Sequence, residues 1–129
     1  MPRVLVIDAR PDRSAALAAA LAGWGCAVRF ARGRASALEE AGRFLPQAAL
    51  VGELAAGETA GGVAGALRAM PALRGLPLVA LVGADEPAPA GGFDLLFRDP
   101  VNLADLRLVV DCLRPAAPRG AGGGGREAG

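Results

Sequence analysis

Apolar positions along the chain fall into short unbroken runs rather than alternating ones. Val4-Leu-Val-Ile7, Ala48-Ala-Leu-Val51 and Leu78-Val-Ala-Leu-Val82 each read as a strand with no polar partner positions. Such runs suit strands buried on both faces, as in a parallel sheet. Cys26–Phe30 and Leu95–Phe97 give two further short strands. Between them the period changes to that of a helix. Leu17, Leu21 and Trp24 make one apolar stripe after Pro11-Asp12, a proline and a carboxylate suited to a first helical turn. Over Gly33–Leu45 the apolar positions Ala35, Leu38, Ala41 and Leu45 carry the helical spacing, and Pro46 stops it. A third helix is expected from about Ala60 to Met70, with Val63, Leu67 and Met70 inward. A last one is expected from Leu103 to Leu113, with Asn102 as N-cap. Its Leu103, Leu106, Val110 and Leu113 share one face, and Leu108 and Cys112 lie opposite.

Strand and helix thus alternate, and the expected architecture is α/β: a doubly wound five-stranded parallel sheet in the order 2-1-3-4-5. One connection departs from the pattern. Gly83 to Gly92 holds two prolines and three glycines, which deny a regular helix more than about a turn, an interior proline costing roughly 3 kcal/mol. The helix between the fourth and fifth strands is therefore expected to be shortened or missing. Residues 1–114 form the expected domain; 115–129, composed almost wholly of Pro, Ala, Gly and Arg, read as a flexible tail or linker.

Composition narrows the chemistry. The 129 residues contain no histidine, no lysine and no tyrosine, and every basic side chain is arginine. That removes an imidazole base, a His-ligated metal, a lysine phosphate loop and a Schiff base. A net charge of +1 favours neither nucleic acid nor a membrane surface as partner. Arg29, Arg32 and Arg34 read as a solvated face, and the glycines at 57, 61, 62 and 65 do not spell a dinucleotide loop. Cys26 and Cys112 match no redox or zinc spacing and read as two buried thiols. With no signal-peptide core and no membrane-length run, the expected location is the cytoplasm.

Asp8 ends the first strand beside a helix start, at the sheet edge where open α/β sheets bind ligands. Val4-Leu-Val-Ile-Asp8-Ala-Arg-Pro11, the strand from Pro46 to Gly52, Pro77–Val82 and Asp99-Pro100-Val-Asn-Leu-Ala-Asp-Leu106 together resemble a bacterial response-regulator receiver domain. The resemblance spans Arg3 to Leu113. It implies a flavodoxin-like fold and a pocket in which two acidic residues and an acceptor aspartate hold Mg²⁺, the aspartate taking a phosphoryl group from a histidine kinase. A hydroxyl residue and a lysine contact that phosphate. Carried over by position, Asp8 matches the first acidic residue. The second falls on Ala9, the acceptor on Gly52, the hydroxyl on Val82 and the lysine on Asp99.

The resemblance is thus to a degenerate pseudo-receiver with no catalytic residue, no cofactor and weak or absent Mg²⁺ binding, Asp8 being at most a vestigial ligand. Asp8 could equally be a helix cap. Glu53 and Arg98 are candidate substitutes for the lost acid and cation, through an Arg98–Asp8 pair or a fixed mimic of the phosphorylated state; the alternative is that both are solvated strand ends. From Val82 to Asp99 is 17 positions, fewer than a receiver needs for a full helix there. The implied role is a non-enzymatic signalling module in a phosphorelay-type pathway. It would act through a partner protein, a downstream output domain or self-association at the fifth-strand and last-helix face, with Leu108 and Cys112 as candidate contacts. Two other readings stand beside it: a working phosphorelay receiver with Glu53 as acceptor, and a small flavodoxin-like cofactor-binding protein.

Overall fold

The structure is a computed structural model that describes residues 1–113. The tail expected at 115–129 lies outside the described residues. Ten elements follow one another: β1 (Arg3–Ile7), α1 (Pro11–Gly23), β2 (Ala27–Ala31), α2 (Arg34–Phe44), β3 (Ala48–Val51), α3 (Ala60–Arg68), a 3-10 turn (Pro71–Leu73), β4 (Leu78–Val82), β5 (Leu95–Arg98) and α4 (Leu103–Leu113). All strands pair in parallel, in the order β2-β1-β3-β4-β5.

The unbroken apolar runs are buried on both faces, as a sheet between two helical layers requires. Leu5, Ile7, Ala49, Val51 and Leu78 pack with Ala37 and Ala41 of α2 and with Val63, Ala64 and Leu67 of α3. On the other face Val4, Val6, Leu50, Val79 and Leu81 pack with Leu17 and Leu21 of α1 and with Leu106 and Val110 of α4. No helix joins β4 to β5. The connection instead folds back over β4 toward α3. Phe93 packs into the α2/α3 layer. Arg68 of α3 holds the Gly92 carbonyl at 2.8 Å and the Asp94 carboxylate at 2.8 Å.

Four expectations need correction. The inward face of α2 is Ala37 and Ala41, while Ala35 is exposed and Leu45 ends the helix in the left-handed region, 44% exposed, before Pro46. Ala37 and Ala41 lie about one helical turn apart on one face, and Ala35, two residues before Ala37, falls on the far side. α3 ends at Arg68, and a separate 3-10 turn takes the chain past Pro71. On α4 Leu106 and Val110 are buried but Leu103, in the first turn, is exposed. Only Cys26 is a buried thiol; Cys112 is exposed, because it sits on the outer face of α4. The Asn102 cap forms as expected, its Oδ1 accepting from the Asp105 N–H at 3.1 Å.

Candidate functional site

Strand register brings the site together. Ile7 pairs with Val51, so Asp8 and Gly52 leave the sheet side by side, and the Gly52 N–H donates to the Ile7 carbonyl at 2.8 Å. Val82 pairs with Arg98, which sets Asp99 at the same edge. Asp8 is buried. Its Oδ1 accepts from the backbone N–H groups of Arg10 and Glu53, at 3.1 and 3.2 Å. It does not cap α1, whose N-cap is Arg10 without a side-chain bond.

The decisive partner is Arg13. Side chains on a helix lean toward its N-terminus, so a residue early in α1 reaches back to the strand end that precedes it. The Arg13 Nε donates to Asp8 Oδ2 at 2.5 Å and its Nη2 to Oδ1 at 3.3 Å, a bidentate pair. The two side chains are 6% and 0% exposed. Arg13 Nη1 then reaches Asp99 Oδ2 at 3.1 Å, and Arg10 Nη1 binds the same oxygen at 2.7 Å before passing to Asp12 at 3.0 Å. Charges alternate along this chain, Asp8–Arg13–Asp99–Arg10–Asp12, and so satisfy one another.

Titration follows that geometry. Burial pushes the Arg13 guanidinium down, but the hydrogen bond and charge of Asp8, with Asp99 behind them, outweigh it and hold Arg13 above its ordinary value. Burial pushes the Asp99 carboxyl up. The hydrogen bond from Arg10 and the charge and hydrogen bond of Arg13 reverse that, and Asp99 ends below the usual carboxylate range. Asp12, hydrogen-bonded to Arg10, is likewise lowered, and Arg10 is raised by Asp12 and Asp99.

Gly52 completes the arrangement. A Cβ there would lie 2.7 Å from Arg13 Nη2 and 2.7 Å from Asp8 Oδ2. The guanidinium thus fills the space into which a side chain at 52 would project. The residues present do not suit Mg²⁺. Both Asp8 oxygens are engaged by protein donors, the neighbouring positions are Ala9 and Gly52, and a fixed cation already neutralises the carboxylate. Among the described residues no group of three or more metal-ligating side chains is arranged to hold an ion. Val82 is buried and offers no hydroxyl.

Other candidates fall elsewhere. Glu53 is exposed, and it is its backbone N–H that meets Asp8. Arg98 does not reach Asp8; its Nη1 donates to the carbonyls of Gly83 and Glu86, at 3.4 and 2.6 Å. A small cavity of about 200 Å³ beside Gly52 is edged by Glu53, Glu58 and Glu86. Glu58 accepts from the Arg34 N–H at 2.9 Å, capping α2 from outside, and Glu86 accepts from the Gly83 N–H. Leu108, 65% exposed, and Cys112 lie on the outer face of α4. Sequence reasoning missed Arg10 and Arg13. The available signal was a reversed charge at Asp99, which needs a cation, and arginines in the first turn after a buried acid.

No family model matches the sequence, and no curated protein does either. Solved structures do match, receiver domains among them. A CheY-like response-regulator receiver domain from Methylobacillus flagellatus superposes with a TM-score of 0.78 at 16% identity, covering 88% of this chain and 99% of that one. The chemotaxis response regulator CheY4 of Vibrio cholerae gives 0.75 at 19%, with 88% and 99% covered. The receiver domain of a sensor histidine kinase from Pseudomonas aeruginosa PAO1, with a magnesium ion coordinated in its active-site cleft, gives 0.77 at 18%, with 87% and 96% covered. The chain has the receiver-domain fold of two-component systems.

Proposed function

We infer that this chain is a pseudo-receiver: a non-enzymatic signalling module that works by protein contact in a two-component-type pathway, without aspartyl phosphorylation. The observation that carries this reading is the Arg13 guanidinium, clamped between Asp8 and Asp99 and filling the space over Gly52. Phosphoryl transfer to a carboxylate needs a nucleophile and a mobile divalent cation to gather the charge. Here the acceptor position has no side chain, and the cation is a fixed part of helix α1. The Pseudomonas domain, by contrast, coordinates magnesium in its cleft. The module's partners would be signalling proteins or an output domain, and its setting the cytoplasm. No described helix is long and apolar enough to cross a membrane.

The test is a titration of the ¹⁵N-labelled chain with Mg²⁺ and beryllofluoride, followed by mass spectrometry after incubation with acetyl phosphate. The expected result is unmoved amide resonances at Asp8, Gly52 and Glu53 and no added phosphate. Shifts confined to those amides, or a phosphorylated Glu53, would overturn the reading.

A further inference from the structure

The ion chain that closes the space over Gly52 also borders a second cavity. It lies between the first turns of α1 and the junction from β5 to α4, and measures about 580 Å³. Its walls are mostly apolar, with Ala16 and Leu17 on α1 and Pro100, Val101 and Leu103 across from them. Leu17 is buried, whereas Leu103 is left 44% exposed. The polar part is the row of Arg10, Asp99 and Arg13, with Asp12 at its outer end. A concave, mainly apolar space of roughly 300–1,000 Å³ with a few fixed polar groups is the form that small-molecule sites take.

We propose that this cavity binds a small monocarboxylate with an apolar body, its carboxylate on Arg10 and its body against Leu17, Val101 and Leu103. The charges select that class. Arg13 is committed, with Nε and Nη2 on Asp8 and Nη1 on Asp99. Asp99 in turn already accepts from both Arg13 and Arg10. Arg10 differs from Arg13 in exposure, 36% against 6%. Its Nη1 holds Asp99 and its Nη2 holds Asp12, while its Nε makes no hydrogen bond among the described residues.

The Arg10–Asp12 pair is the exposed link of the row, Asp12 being 72% exposed. Exposed pairs of this kind are held weakly and can be exchanged. Asp12 therefore shows what the Arg10 guanidinium accepts at this place, a planar carboxylate matched to its fork of donors. The first turn of α1 favours negative charge there as well. An ammonium group would instead face two guanidinium groups. A ligand carboxylate competes with Asp12 for Arg10, and burial of the apolar body supplies what the exchange alone does not. The site goes beyond the contact-module reading and does not rest on it. A failure here would leave the phosphate test untouched, because that test follows Asp8, Gly52 and Glu53.

The experiment titrates the ¹⁵N-labelled 129-residue chain with hexanoate, and separately with hexylamine and with hexanol. Hexanoate should shift the amides of Arg10, Asp12, Val101 and Leu103 and leave those of Gly52 and Glu53 unmoved. Butanoate should bind about tenfold more weakly, since each lost methylene costs roughly three- to fourfold. Arg10→Gln should weaken hexanoate about tenfold or more, as expected for a lost charged hydrogen bond. Asp12→Asn, at an exposed position, should tighten it severalfold, because the competing carboxylate is gone. No shift with hexanoate, or shifts as large with hexylamine or hexanol, would overturn the proposal. Undiminished binding by Arg10→Gln, or binding by Asp12→Asn no tighter than wild type, would do the same.

Discussion

Gly52 and Arg13 occupy each other's space. A Cβ built on Gly52 falls 2.7 Å from the Arg13 Nη2, closer than carbon and nitrogen can approach without one of them moving. The residue that leaves this space open and the residue that fills it are therefore one structural unit. Changing either should be felt at the other.

Gly52→Ala tests the fit. The Cβ also meets Asp8 Cγ at 2.7 Å, and neither carboxylate nor guanidinium can retreat without breaking the pair. Overpacking of this kind costs typically about 1–3 kcal/mol. Urea unfolding should show a lower midpoint at unchanged m-value, and Gly52→Ala should be better tolerated once Arg13 is replaced by Ala.

Arg13→Ala should destabilise the chain strongly. It strands a buried carboxylate, and breaking a buried ion pair from one side costs about 3–5 kcal/mol. Replacing Asp8 by Asn in the same chain removes the stranded charge, so the double variant should recover part of the loss. A double variant no more stable than Arg13→Ala alone would show that Asp8 and Arg13 are not coupled.

Asp99 gives the site an acid limb. Its folded pKa lies below the ordinary 3.8, held there by the arginines against burial. A lowered carboxyl contributes stability that is complete above the unfolded pKa and lost as pH falls through the folded one. Denaturant midpoints should therefore be flat near neutrality and drop below about pH 4. Asp99→Asn should lower the neutral plateau and flatten that drop. The raised arginines add no pH dependence in this range, because guanidinium stays charged throughout.

Glu58 caps α2 across the loop, accepting from Arg34 N–H where Gly33 has no side chain to offer. Glu58→Ala should cost about 0.5–2 kcal/mol, the usual range for a lost helix cap. Hydrogen exchange should quicken in the first turn of α2, while the amides of α1 stay protected.

Much of this protein was legible from its residues alone. Val4–Ile7, Ala48–Val51 and Leu78–Val82 are apolar at every position, and only a sheet covered on both faces buries such runs completely. Pro11, Pro46 and Asn102 mark helix boundaries by backbone chemistry that acts within one turn. The prolines and glycines of 83–92 excluded a helix between β4 and β5 for the same local reason. That no side chain projects from position 52 was equally plain, because a side chain that is not encoded cannot be supplied by folding.

What fills the space over Gly52 was decided only in three dimensions. Arg13 reads as one more charged residue in a helical first turn, a place where arginine is normally solvated. Its burial depends on where α1 begins, on the lean of helical side chains toward that beginning, and on a register that sets Asp8, Gly52 and Asp99 at one edge. Those relations join residues as much as 91 positions apart, from Asp8 to Asp99. Local patterns of polarity reach about one helical turn, whereas an ion pair requires only that its partners meet in space.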